Sequence, residues 1–402
     1  MNLFNEIERT ERRPMRRRES IFSYLNKSAR EEVAAARTVL QQWLNSLPVE
    51  AHEELISRLK SPIDHEHLAA FWELYLYELF SQLGYKLEIH PTIEGSTHRP
   101  DFLVCLDGGP SFYMEAVLAG LPSKEDAAAD VRLAEVFDLI NEMPKSDYFL
   151  YVRHRGLPKT PPPVRKLRKD LAVWLESLSV DGGDATREAR SEFTWSHDGL
   201  TLFIRAIRKS IPSANGRPIG FSMGEARWVR TDQDIRDAIE QKANRYGKLS
   251  LPLIVAVNVV SDQCEDYDIF NALFGSEVVE FISLPEKSYV AQLDNRQPNG
   301  VWSNKTRKRY VSAVLIGCNV SLYNCITPVL IHNPNPLNRL VMPNYPLPQA
   351  IADNETGMVR HQPGRKAADY LRLPSPWPPR KASLSSNNAP QEPQQPIGPD
   401  GS

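Results

Sequence analysis

Residues 99–116 read RPDFLVCLDGGPSFYMEA. Two runs of strand-forming residues flank a DGGP turn, so the stretch predicts a β-hairpin. In the first strand Phe102, Val104 and Leu106 share one face, and Asp101, Leu103 and Cys105 share the other. In the second, Tyr113, Glu115 and Val117 oppose Phe112, Met114, Ala116 and Leu118. Pairing across the turn brings Asp101 and Glu115 towards one end of the sheet. Carboxylates that close repel each other and lose hydration, and a divalent cation relieves both penalties. Each acid also has a plainer reading. Asp101 can cap a turn after Pro100, and Glu115 can pair with an arginine such as Arg99 or Arg153.

The flanking segments extend the pattern. DHEHLAAFWELYLYELFSQLGY at 64–85 predicts a long amphipathic helix ending at Gly84, and KLEIHP at 86–91 predicts a short strand. Beyond the hairpin, SKEDAAADVRLAEVFDLINEM at 123–143 predicts a helix capped by Ser123, and DYFLYVRHRG at 147–156 a further strand. The expected order is helix, three strands, helix, strand. Glu73 on the first helix adds a third acid, with Glu78 as its competitor.

Pro100-Asp101, Glu115 and Glu73, in this order of elements, resemble the PD-(D/E)XK nuclease superfamily and its restriction-endonuclease-like core. Region 28–118 is also similar to a group of bacterial proteins with an ELYLHE…HP…PDFLV…EA string, which here reads ELYLYE…HP…PDFLV…EA. The nuclease resemblance covers about 65–156. It implies an α/β fold, a magnesium (or manganese) ion held by Asp101 and Glu115, assistance from Glu73, and hydrolysis of phosphodiester bonds in DNA. The family's lysine, two residues after the second acid, is Val117 here. The resemblance implies that this lysine orients the attacking water and neutralises developing charge, and valine does neither.

Three outcomes stand open. A lysine from elsewhere takes the role, either Lys124 at the start of the next helix or Lys242 in DQDIRDAIEQKANRYG at 232–247. Alternatively the metal alone suffices. Or the fold is a catalytically inactive module that binds nucleic acid or a partner protein. Lys124 is the nearer in sequence, whereas Lys242 requires the second half of the chain to fold over the first. An enzyme of unrelated chemistry on an α/β sheet is a further alternative.

The remaining chain divides by composition. Residues 1–20, with arginines at 12, 13, 16, 17 and 18, read as a flexible basic arm, and 21–62 as N-terminal helices. SAREEVAAARTVLQQWLNSL at 28–47 predicts a helix with Ser28 as its cap, stopped by Pro48. The nuclease-like core takes 63–158. An α/β extension packed on the core takes 159–350, with a hairpin at 191–209, a loop at 210–225, a buried strand at 251–260, a short helix near 266–275, and strands near 310–317 and 328–332. Residues 351–402, rich in Pro, Ser, Asn and Gln, read as a disordered tail. YVRHRGLPKTPPPVRKLRKD at 151–170 reads as a basic stripe for phosphates, formed by Arg153, Arg155, Arg165, Lys166, Arg168 and Lys169.

A 402-residue chain with 41% hydrophobic residues has material for a sizeable core, and its net charge of −2 excludes coating of nucleic acid through bulk charge. The four cysteines match no zinc spacing and read as buried free thiols. The first twenty residues carry no apolar core behind their charges, unlike a secretory signal, and no apolar run reaches the length of a membrane span. The expectation is therefore a cytoplasmic protein without a membrane partner, acting on DNA. A homodimer is compatible with the sequence, and protein partners are unspecified.

Overall fold

Four α-helices precede the first strand: α1 (Ile21–Lys27), α2 (Glu31–Ser46), α3 (His52–Leu59) and α4 (Asp64–Gln82). These come from a computed structural model that describes residues 1–402 except 107–108, 123, 144–147, 181–191, 210–218, 224–229, 247–248, 262–263, 285–286, 304–307, 343, 353–358, 375 and 379–402. Helix α4 is apolar nearly all round and correspondingly buried, from Ala70 to Phe80. It ends as its glycine predicts. Gly84 takes φ +91°, its N–H donates to Ser81 O, and Tyr85 N–H reaches back to Phe80 O, the paired bonds of a Schellman stop. Helix α2 starts at Glu31 without a side-chain cap, and Ser28 instead closes α1, an element the sequence reading passed over.

Strands β1 (Lys86–Ile89), β2 (Phe102–Leu106) and β3 (Gly109–Ala119) form the expected antiparallel set, with Phe102 opposite Met114 and Val104 opposite Phe112. The DGGP turn lies partly outside the described residues. After β3 the chain leaves this sheet. Helix α5 (Lys124–Asn141), β4 (Tyr148–Arg155), α6 (Val164–Val180), β5 (Glu192–His197), β6 (Leu200–Arg208) and β7 (Ile219–Met223) build a second layer. Its four-stranded sheet runs β5-β6-β4-β7, and a separate core forms between that sheet and helices α5 and α6.

The chain returns with α7 (Thr231–Ala243) and β8 (Leu253–Val259), followed by α8 (Asp266–Phe274), the hairpin β9 (Glu277–Leu284) and β10 (Lys287–Arg296), β11 (Val311–Cys318) and β12 (Val329–His332). Strand β8 lies parallel to both β3 and β11 in an eight-stranded mixed sheet. All of β8, and all of β11 but its last residue, is buried. That requires a layer on each face. Ile254 and Ala256 join the core under α1–α4, while Leu253, Val255, Val257 and Val259 join the core under α7 and α8. Trp72 Nε1 donates to Ala256 O at 3.0 Å and pins α4 to the centre of the sheet.

Several expectations are corrected. The strand at 147–156 does not complete the sheet of β1–β3; β8 does. The reason is legible in the burial: β4 alternates and suits a one-sided sheet, whereas β8 is apolar on both faces. The arginine arm is docked. Leu3 is fully buried, the backbone N–H groups of Arg17 and Arg18 donate to Asp138 on α5 at 2.8 and 3.1 Å, and Arg16 pairs with Glu142 at 2.9 Å. Strand β7 occupies part of the expected loop at 210–225.

The tail is ordered well past 351. Strands β13 (Gln349–Ala352) and β14 (Val359–Gln362) extend the large sheet, α9 (Ala367–Tyr370) buries Ala367, and Trp377 Nε1 donates to Leu322 O at 2.9 Å. Residues 379–402 lie outside the described residues. Cys264 and Cys318 form a disulfide with Cα atoms 5.9 Å apart, correcting the reading of four free thiols; Cys105 and Cys325 are free. Among the described residues no helix is long and apolar enough to cross a membrane.

Candidate active site

The strand period that directs Phe112, Met114 and Ala116 towards α4 directs Glu115 the other way, under α7. Glu115 is 1% exposed. A carboxylate so buried needs partners. Lys242 Nζ, from the end of α7, lies 2.6 Å from Glu115 Oε1, and Arg245 lies 3.7 Å from the same oxygen. The Tyr246 hydroxyl donates to Glu115 Oε2 at 2.7 Å and lies 3.2 Å from the Arg99 carbonyl oxygen.

Asp101, immediately before β2, is clasped to Glu115 reciprocally. Its Oδ2 accepts the Ala116 N–H at 2.7 Å, and its own N–H donates to Glu115 Oε2 at 3.2 Å. Among the described residues its Oδ1 has no hydrogen-bond partner. Burial first, then the nearby charges of Glu115 and Glu73, push the Asp101 carboxyl up to about 7, against the opposing pull of Lys242 and the Ala116 N–H. Tyr246 is held far above its ordinary value, chiefly by burial and then by Glu115. It therefore acts as a proton donor to the carboxylate, with no phenolate in the neutral range.

Glu73 stands apart from this cluster. Its helix, α4, packs on the opposite face of the sheet from α7. Both its oxygens are taken by Arg58, with Nη1 to Oε1 at 2.8 Å and Nη2 to Oε2 closing the second arm. The pair lines a pocket of about 500 Å³ with Leu74, Leu87, Ile89 and Phe102. Glu73 thus reaches Asp101 through its field and contributes no direct contact. Its competitor Glu78 accepts from Ser46 and Gln82.

Of the two lysines weighed for the place left by Val117, Lys242 is the one brought to Glu115. Lys124 opens α5, whose apolar face packs in the second layer; its side chain lies outside the described residues. Sequence reasoning missed Arg245, Tyr246 and Arg58. Lys242, Arg245 and Tyr246 recur at i, i+3 and i+4, the spacing of neighbours on one helical face, and that signal was available.

The residues present fit a divalent cation in one respect: a pair of neighbouring carboxylates, one with an unpartnered oxygen, is the protein's share of a magnesium ligand set. Among the described residues no group of three or more His, Cys, Asp or Glu side chains is arranged to hold a metal.

The expected basic stripe is divided. Arg153 and Arg155 lie on the outward face of the second sheet. Arg165, Lys166, Arg168 and Lys169 are exposed on α6, which buries Leu167, Leu171 and Leu175 against the inward face. The two sets therefore sit on opposite sides of the layer. Comparison of the chain with protein-family models, with curated proteins and with solved structures returned no match.

Proposed function

We propose that the chain is a metal-dependent nuclease-like protein that hydrolyses phosphodiester bonds in DNA. The observation that carries this reading is Lys242, 2.6 Å from Glu115 and supplied by a helix 127 residues away in sequence. With residues 120–230 set aside as an insertion, the order α4, β1, β2, β3, α7, β8 resembles the restriction-endonuclease-like core. The cation that Val117 lacks is then delivered from the core's second helix. Asp101 and Glu115 would hold magnesium or manganese, which when bound lowers the pKa of water and offsets phosphate charge.

The chain's own groups have separable roles. Lys242 would orient water and meet the charge that develops on phosphate oxygens. Tyr246 and Arg245 hold Glu115 in place. Glu73, neutralised by Arg58, tunes Asp101 from a distance. A role in defence or repair rests on analogy with nucleases of this type.

A second reading, a nuclease-fold module that binds without cutting, is favoured by one observation: both Glu115 oxygens are already engaged. Incubation of purified protein with plasmid and linear DNA in Mg²⁺ or Mn²⁺, against EDTA, decides between them. The catalytic reading expects metal-dependent cleavage that disappears in Asp101→Asn and Lys242→Met. Folded protein that binds DNA but cuts neither substrate with either metal overturns it.

A further inference from the structure

The second layer presents an outward sheet face whose composition the proposed hydrolytic site does not explain. In β4, Tyr148, Leu150 and Val152 point into the core beneath α5 and α6; Phe149, Tyr151, Arg153 and Arg155 point outward. In β6, Leu200, Leu202, Ile204 and Ala206 point inward; Thr201, Phe203, Arg205 and Ile207 point outward. The register sets these outward residues side by side: Phe149 opposite Ile207, Tyr151 opposite Arg205, Arg153 opposite Phe203.

Large apolar side chains on such a face are unusual unless something covers them. Phe149 is 38% exposed and Ile207 55%. The cations already lie against the rings: the Arg153 guanidinium is 4.6 Å from the Phe203 centroid and Lys209 Nζ is 5.0 Å from that of Phe149. Arg153 has no ion-pair partner among the described residues. The one acid on the outward positions of β4, β5 and β6 is Glu192, paired with Arg205 at 2.9 Å. Among the described residues the outward positions of β4, β5 and β6 are thus predominantly basic and aromatic, within a chain of net charge −2.

We propose that this face binds single-stranded nucleic acid, with bases stacked on Phe149, Tyr151 and Phe203 and phosphates held by Arg153, Arg155 and Arg205. A sheet face with rings and guanidinium groups in register matches the alternation of unstacked bases and phosphates along a strand. A duplex keeps its bases stacked and offers the rings nothing, and an acidic protein segment would use the arginines but leave the rings idle. The proposal does not rest on hydrolysis at Asp101.

The test is fluorescence anisotropy with the full chain in EDTA, which removes metal-dependent cleavage from the measurement. The probes are oligothymidine and oligouridine of about 16 nucleotides, within the range one sheet module tracks, and a duplex of matching length. Both strands are expected to bind more tightly than the duplex, and the tighter of the two identifies DNA or RNA as the source. Phe203→Leu keeps an apolar side chain on the strand and is expected to weaken strand binding about tenfold. Arg153→Gln is expected to reduce the slope of log affinity against log salt by about 0.7. The pair Arg165→Gln with Arg168→Gln, on the opposite side of the layer, is expected to leave strand affinity unchanged. Duplex bound as tightly as either strand overturns the proposal. So does wild-type affinity in a Phe203→Leu protein of wild-type circular dichroism, or no binding of either strand. An Asp101→Asn protein that holds the strand and cuts nothing separates this face from the hydrolytic site.

Discussion

Asp101→Asn tests the electrostatics of the site without any appeal to catalysis. In the metal-free protein the Asp101 carboxyl titrates near 7 when folded, against an ordinary 3.8. Below both values it is neutral in folded and unfolded chains alike. Between them the unfolded chain has lost the proton and the folded chain keeps it, so stability falls as pH rises. Above about 7 the group is ionised in both states and the penalty is complete. Fully expressed, that interval corresponds to on the order of 4 kcal/mol.

Asp101 is partly open to solvent and Lys242 offsets some of the charge, so about 2 kcal/mol is the expected residue of the penalty. Asparagine keeps an acceptor for the Ala116 N–H, removes the charge, and puts an amide donor in place of the unpartnered Oδ1. The variant is therefore expected to be more stable than wild type by about 2 kcal/mol near pH 8, with the gap closing towards pH 4. Urea unfolding in EDTA across that range, read as the difference between the two proteins, cancels the titrating groups that do not interact with Asp101 and so reports on Asp101 and its charged neighbours. Parallel midpoints across the whole range, or a variant less stable than wild type at the alkaline end, would refute the reasoning.

Lys242→Met leaves Glu115 buried with Tyr246, a backbone N–H and the more distant Arg245; a loss of about 2–4 kcal/mol in urea unfolding is expected, and an unchanged midpoint argues against the ion pair. Trp72→Phe removes the donor to Ala256 O inside the core and is expected to lower stability by about 1–2 kcal/mol, whereas wild-type stability would mean that bond contributes nothing. In denaturant without reductant, thiol titration is expected to find two reactive cysteines, Cys105 and Cys325, rising to four after reduction; four from the start would deny the Cys264–Cys318 link.

The hairpin, its facing pattern and the preceding helix were legible because each depends on local period. Phe102 and Val104 alternate with Leu103 in sequence as they do across the sheet. The partner of β3 was misread because topology is not local: a helix and a strand do follow β3, but they belong to another layer. The discriminating signal was present, since YFLYVRHR alternates and LIVAVNV does not. Asp101 and Glu115 were identifiable as acids placed in strands. Arg245 and Tyr246 shared a helical face with Lys242 in the sequence, but that this face meets Glu115 was not legible; Arg58 carried no signal, because its significance comes from which face of which helix meets the sheet. The basic stripe was read along the chain as continuous, and the turn between β4 and α6 carries its halves to opposite sides.

The long segment between β3 and α7 also sets an order of events during synthesis. The two acids leave the ribosome with β2 and β3, and their counter-cation follows 127 residues later. A nascent chain that has completed only the hairpin carries two carboxylates and no lysine to meet them. Closing so long a loop is slow relative to local folding. The second layer, with its own core, can be complete before α7 exists. A partial chain would therefore present the finished second layer while Asp101 and Glu115 still lack Lys242, so the carboxylate cluster is the later of the two to be completed.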